Sequence, residues 1–219
     1  MDLNSIRWIN HAGFRIEADG KAIYIDPYKV KDTSIKADII LITHPHFDHY
    51  SIDDIKALHK DDTVLVIPEG CEDYKQFKSY KIVKPGDKIS IKGVEIEAVQ
   101  AYNTNKERLK FHPRENRWNG YIVNIEGKRV YHAGDTDFIP EMKELSKLYA
   151  ALLPMGGTYT MDLNEFLDAA RAIDADYIIP MHYKILLGQS NSIKAEEIVK
   201  KQLNNAAILK EIQEPTWKF

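Results

Sequence analysis

At 219 residues, with 44% apolar and 29% charged residues and a formal net charge of −3, the chain has the balance of a globular protein able to bury a sizeable core. That charge offers no general attraction to nucleic acid or anionic membrane, and no apolar run approaches the roughly 20 residues that cross a bilayer. MDLNSIRWIN has neither the basic nor the apolar region of a secretion signal, and the single cysteine, Cys71, has no intrachain partner, so a cytoplasmic setting is expected. Cys71 sits in the polar stretch PEGCEDY and is not expected to act as a nucleophile.

The first 27 residues read as short strands near 5–9, 13–18 and 22–26, with Asp19-Gly20 as a hairpin turn. Asp38-Ile-Ile-Leu-Ile-Thr43 is a continuous apolar run, the pattern of a strand covered on both faces. A helix is predicted over about 52–60, with Ser51 as cap, Asp54 in the first turn and Ile52, Ile55 and Leu58 as its apolar stripe. Residues 64–67 read as a strand, 71–78 as a short helix and 81–102 as a β-rich stretch. Strands at 120–126 and 129–133 follow, with Gly127 at the turn between them. The pattern then predicts a helix over 138–148, capped by Asp137 and tolerating Pro140 in its first turn. Another helix is expected over 163–172, with Asp162 as cap, Glu165 completing a capping box, and Met161 with Phe166 as the hydrophobic staple. A strand at 177–181 and a last helix near 194–203 complete the pattern.

No Gly/Ser-rich or Pro-rich linker divides the sequence, so residues 1–219 are expected to form one domain. Two β-rich halves, each followed by helices, predict an α/β fold with two sheets face to face and helices outside. Strand ends from both halves can then converge on one edge.

The strongest chemical signal is His44-Pro45-His46-Phe47-Asp48-His49, directly after the apolar run. Pro45 holds His44 extended, and extended backbone puts His44 and His46 on the same side. Neutral imidazoles bind Zn²⁺ and similar ions through nitrogen, and an adjacent carboxylate supplies charge. Four potential ligands in six residues exceed what one four-coordinate ion with an open position needs, which points to two metals completed from later in the chain.

This segment resembles the H-x-H-x-D-H signature of the metallo-β-lactamase superfamily. Ile25-Asp26-Pro27, Gly134-Asp135 and His182 follow in the same order. More narrowly, His11-Ala-Gly, Tyr131-His-Ala-Gly-Asp-Thr136, Pro154-Met-Gly-Gly157 and Pro180-Met-His-Tyr183 are similar to the branch containing ascorbate-6-phosphate lactonase and related hydrolases. The resemblance implies a four-layer αβ/βα sandwich of two mixed sheets. It implies that His44, His46 and a distal histidine bind one metal, that Asp48, His49 and His182 bind a second, and that Asp135 bridges them. For the distal histidine, His112 in Lys110-Phe-His-Pro113 has the expected order but not the usual His-Thr or His-Ser surroundings, and His132, inside a strand, is the competitor. His112 is the favoured reading. Asp26 is expected to orient a ligand rather than to ligate, His11 is a candidate for the same role, and His59 is expected to face solvent.

Two ions about 3.5–4 Å apart would lower the pKa of a bridging water, with Asp48 as both ligand and orienting acceptor. Zn²⁺ suits these donors best, with Mn²⁺ and Fe²⁺ as alternatives. The stretch 106–118 carries Lys106, Arg108, Lys110, Arg114 and Arg117 beside His112, which suggests a small anionic ester, lactone or phosphodiester as substrate. Tyr159 and Tyr183 are candidate donors to it. A metal-dependent nuclease is the alternative, disfavoured by the overall charge. No membrane partner is expected, and self-association is left open.

Overall fold

The computed structural model describes residues 1–212. Two six-stranded mixed sheets carry the fold. The first runs in chain order through β1 (Ile6–Asn10), β2 (Gly13–Ala18), β3 (Lys21–Ile25), β4 (Ile39–Leu41), β5 (Val64–Ile67) and β6 (Tyr80–Ile82). Its first three strands are antiparallel, and β3 through β6 pair in parallel. The second sheet likewise passes from antiparallel to parallel pairing in chain order. β7 (Lys88–Ile91), β8 (Val94–Gln100), β9 (Asn119–Ile125) and β10 (Lys128–His132) are antiparallel, and β11 (Leu148–Pro154) and β12 (Ala175–Met181) continue parallel from β10.

Strand periodicity decides which face each residue covers. Ile39 and Leu41 join the core between the sheets, whereas Ile40 and Ile42 face outward with Leu65 and Ile67. Helix α1 (Ile52–Leu58) covers that outer face with Ile55 and Leu58. On the other side, α2 (Leu163–Ala172) and α3 (Lys184–Gln202) add Phe166, Ala169, Ala195 and Val199 to the main core. The order is thus helix, sheet, sheet, helix, as the sequence implied.

The caps of α1 and α2 form as predicted. Asp54 N donates to Ser51 Oγ, and Asp162 accepts from Asn164 N and Glu165 N while Glu165 accepts from Asp162 N. The helix expected over 138–148 is absent. A short 3₁₀ helix at Pro140–Glu144 gives way to β11, because Asp137 spends its carboxylate elsewhere and no side chain caps the segment. Most of β11, an apolar run between parallel neighbours, lies beyond the expected helix, in a stretch to which the sequence assigns no element. The expected 71–78 helix is only a 3₁₀ turn at Tyr74–Gln76. The last helix begins ten residues earlier than expected, at Lys184, and breaks at Gly188, whose φ is 71°. Among the described residues no helix is long and apolar enough to cross a membrane.

The sheets are tied to each other at one edge. Tyr121 OH donates to Ile42 O at 2.8 Å, Asn119 N to Thr43 O at 3.0 Å, and His182 N to His11 O at 2.9 Å. The carboxyl ends of β1, β3, β4, β10 and β12 all open onto this edge, where open α/β sheets keep their sites. Gly156 shows how closely it is packed: an added Cβ would lie 2.5 Å from His182 O and 2.4 Å from Leu186 Cδ1. The leucine tip can turn aside but the carbonyl cannot. Gly156→Ala is therefore expected to destabilise the fold by about 1–3 kcal/mol in urea unfolding, the usual range for overpacking. An unchanged midpoint would show that the β12 terminus yields freely.

Candidate metal centre

Beyond β4 the chain turns through 43–50, fixed by His49 N and Tyr50 N donating to His46 O at 3.0 and 2.8 Å. Asp26, fully buried at the end of β3, accepts from Thr43 N at 2.8 Å, Thr43 Oγ1 at 2.6 Å and His49 Nδ1 at 2.8 Å. Because Thr43 gives its single hydroxyl proton to Asp26, the oxygen accepts from His44 Nδ1 at 2.9 Å. Protons placed on Nδ1 leave an Nε2 lone pair for another partner on His44, and on His49 once that ring has given up its second proton.

A parallel chain of bonds fixes His112. Asp137 accepts from Asn103 Nδ2 (3.0 Å), Thr104 N (2.7 Å) and Asn105 N (2.8 Å). That orients Asn103 so that its Oδ1 accepts from His112 Nδ1 at 2.8 Å, again freeing Nε2. Asp137 was expected to cap a helix; it organises the His112 loop instead.

Around these rings the donors converge. His44 Nε2 lies 3.0 Å from His46 Nδ1. Asp135 presents Oδ1 3.5 Å from His49 Nε2, and Oδ2 3.4 Å from His112 Nε2 and 3.2 Å from His182 Nε2. Asp48 Oδ2 is 3.8 Å from His49 Nε2 and 3.9 Å from His182 Nε2. Ligands of a tetrahedral ion at about 2.0–2.2 Å are separated by about 3.3–3.6 Å, which the Asp135 distances to His49, His112 and His182 approach most closely. Compatible donor groups are His44, His46 and His112; His44, His49 and Asp135; and His11, Asp48, His49 and His182.

The unmatched atoms make the same case. His49 Nε2, His112 Nε2, His182 Nε2 and Asp135 Oδ1 are buried without a hydrogen-bond partner, which is costly unless a cation accepts their electron pairs. The residues therefore fit divalent metal. Electrostatics agree. Burial, only partly offset by Asp135, lowers His112 to about 4, and burial with His49 beside it holds His44 well below the ordinary histidine value. Burial acts the same way on His49, but Asp135, Asp48 and Asp26 outweigh it and hold that ring well above. Burial would raise Asp135, yet His182 and His49 keep it well below the usual carboxylate range. The pocket is a nest of buried negative charge that asks for positive charge.

Residues 5–182 match the family described as the beta-lactamase superfamily domain. The chain belongs to the metallo-β-lactamase superfamily. It is 32% identical to a UPF0173 metal-dependent hydrolase of Thermoplasma volcanium over 98% of this chain and 99% of that protein. A structure from Parabacteroides distasonis, named as a metal-dependent hydrolase, superposes with a TM-score of 0.83 at 39% identity, covering 95% of this chain and 93% of that one. A protein of Thermotoga maritima named as a Zn-dependent hydrolase of the same superfamily gives 0.58 at 25% identity, with 85% and 79% covered.

Within this superfamily member, all seven ligand candidates read from the sequence (His44, His46, Asp48, His49, His112, Asp135 and His182) meet at the one edge. His132 does not join them. Its Nε2 bonds Ala12 O at 2.8 Å and its Nδ1 accepts from Gly134 N at 3.1 Å, so both nitrogens serve the backbone. His11 comes closer than the sequence suggested, with Nε2 3.1 Å from Asp48 Oδ2 and its ring centroid 3.7 Å from that of His182. His11, Asp26 and His182 all have positive φ, at 46°, 45° and 57°. Such backbone strain, of order 1–3 kcal/mol each, is what turns these side chains out of their strands. His59 is not solvent-facing as expected: it is half-buried at the end of α1, its ring 5.4 Å from Phe77.

A cleft of about 430 Å³ opens over the cluster. None of the five basic residues of 106–118 lines it. Arg108 turns inward to Asp137 at 2.8 Å and to Glu165, and Arg114 pairs with Glu141 at 3.0 Å. Tyr159 does line the cleft, whereas Tyr183 is core, stacked on Trp8 and bonded to Glu196. Sequence reasoning missed Trp118, whose ring lies 5.1, 5.0 and 5.8 Å from those of His44, His46 and His112. It also missed Tyr28, Lys29, Phe47 and Phe111 as cleft residues, since an isolated aromatic or lysine carries no spacing signal.

Two outcomes are expected. Asp26→Asn should weaken metal binding about 10–100-fold in competition with a chromophoric chelator, because the carboxylate that orients His49 is lost; His132→Gln should leave the metal count unchanged. Metal binding should also release a proton near neutral pH. His49, held above its ordinary pKa, must deprotonate to ligate, whereas His44 and His112 are already neutral. Apparent affinity should therefore rise with pH, and calorimetry in buffers of different ionisation enthalpy should count the proton. No dependence on buffer would mean that His49 is neutral beforehand.

Proposed function

We propose that this chain is a metal-dependent hydrolase that holds two divalent ions and cleaves a small ester, lactone or phosphodiester. The observation that carries this is the double set of converging donors with Asp135 between them. In this reading His44, His46 and His112 would hold one ion and Asp48, His49 and His182 the other, with Asp135 available to both. Such ions supply ionised water near neutral pH and polarise the substrate oxygen under attack. Zn²⁺ suits the imidazole and carboxylate donors best, with Mn²⁺ and Fe²⁺ as alternatives. The names of the relatives, metal-dependent and Zn-dependent hydrolases, support the same assignment.

The chain's own residues set the rest. Asp48, 24% exposed and held by His11, reaches the floor of the cleft, where it can accept a hydrogen bond from the attacking water and orient it. Its carboxyl is kept ionised because His49, His11 and His182 overcome the effect of burial. A cleft near 430 Å³ suits a small molecule. An anionic group on that molecule would meet Lys29, which lines the cleft, rather than the turned-away arginines. The nuclease alternative rests on the basic loop 106–118, none of whose lysines or arginines lines the cleft, so nothing in the cleft favours it. The buried free thiol of Cys71, pushed up to about 12 by burial, fits a cytoplasmic protein.

Elemental analysis of native protein beside His46→Ala and Asp135→Ala is the test, followed by a panel of lactones, phosphodiesters and thioesters with the metal found. Two equivalents per chain are expected, falling in both variants, with Asp48→Asn lowering kcat/KM at least about 10²-fold. One ion or none after reloading, or hydrolysis indifferent to all three substitutions, would refute the proposal.

A further inference from the structure

The floor of the cleft is polar, but its walls are not. Apart from the clustered histidines, aspartates and Lys29, the cleft is lined by Tyr28, Phe47, Phe111, Tyr159, Ile185 and Leu186. Phe47 is 72% exposed, and no other large hydrophobic among the described residues is more so. An exposed phenylalanine at the mouth of a site forgoes the gain of burial, unless a ligand covers it.

These residues are held in place by the same bonds that build the metal centre. Phe47 sits inside the 46–50 turn, between His46 and Asp48, with its ring edge-on to Tyr28 at 6.0 Å and 75°. Tyr28 precedes the amides of Lys29 and Val30, which both donate to the Asp54 carboxylate at 2.7 Å. Phe111, next to His112, packs edge-on against Tyr159 at 4.8 Å and 90°. Phe111 N donates to Arg108 O at 2.9 Å, and Arg108 is anchored by Asp137 and Glu165. Thus the arginine expected to greet an anion instead braces an aromatic wall. One aromatic pair comes from each half of the fold, and the start of α3 adds Ile185 and Leu186.

We infer that this wall is a binding subsite for the apolar part of the substrate, so that the cleft selects esters or lactones bearing an aryl or alkyl substituent over highly charged sugar or nucleotide substrates. The inference rests on the hydrolase reading for the chemistry at the floor. The recognition of an apolar group by the walls stands on the lining itself. A substrate with several charged groups would find only Lys29 among lysines and arginines of the lining. One with a polar scissile group and an apolar tail matches both surfaces.

The test separates the two claims. Binding of methyl-, butyl-, hexyl- and phenylphosphonate is measured by calorimetry, with and without bound Zn²⁺, and hydrolysis is measured on γ-lactones carrying the same substituents. Affinity and kcat/KM should each rise about fourfold per buried methylene over the first few, and phenyl should exceed methyl at least tenfold. Phe47→Ala and Phe111→Ala should flatten both ladders without changing the metal count, and Phe47→Leu should restore part of the slope. Equal affinity for methyl- and hexylphosphonate, or ladders unmoved by both alanine variants, would overturn the subsite even if the lactones are hydrolysed. A steep binding ladder with no hydrolysis of any substrate would keep the subsite and sink the hydrolase.

Discussion

Asp26 is the constraint from which the metal centre is built. Burying a carboxylate in a protein interior costs several kcal/mol unless its oxygens are satisfied, and this one satisfies them with three donors from the next strand end. The requirement works in both directions. It draws Thr43 and His49 into one geometry, and through Thr43 it sets the tautomer of His44. A left-handed backbone at Asp26 brings the carboxylate to the edge where the strands end.

Asp137 repeats the device in the second half of the molecule. Its carboxylate gathers the amides of 104 and 105 with Asn103, and Asn103 sets the tautomer of His112. Two unrelated stretches of chain thus arrive at the same arrangement: a buried aspartate, an intermediary polar side chain, and an imidazole whose free lone pair points inward. Asp135 then sits where donors from both halves converge, within 3.5 Å of nitrogens on His49, His112 and His182. The cross-sheet bonds of Tyr121, Asn119 and His182 hold the halves in register, so the position of the metal donors depends on the packing of the whole sandwich.

The cleft combines two kinds of surface because two kinds of residue alternate along the same short loops. In the 46–49 segment, His46 and Asp48 face the floor while Phe47 lies at the rim; at 111–112 the aromatic and the imidazole again stand side by side. Bonds that fix a donor therefore also fix a wall residue beside it, which gives the site a preformed shape.

Local chemistry wrote much of this into the sequence. The apolar run of 38–43 and the capping box at Asp162 each act over a few residues, and each is realised as read; the H-x-H-x-D-H spacing and Pro45 before His46 are equally local signals. What failed there failed for long-range reasons. Asp137 has the local form of a helix cap, but its carboxylate is claimed by a loop more than thirty residues earlier, and residues 149–154 of β11 take no assignment from the sequence because only a parallel neighbour on each side makes them a strand. The choice of His112 over His132 was likewise tertiary, since only the folded chain shows that Ala12 and Gly134 occupy both nitrogens of His132. So was the turning inward of Arg108, because a charged side chain goes where its partners are, and Asp137 and Glu165 are brought to it by other elements. Donor types, sheet-forming halves and the order of the motifs are properties of the chain read locally. Which atoms are free to meet a metal is a property of the folded whole, because a lone pair is left over only after every other hydrogen bond around it has been made.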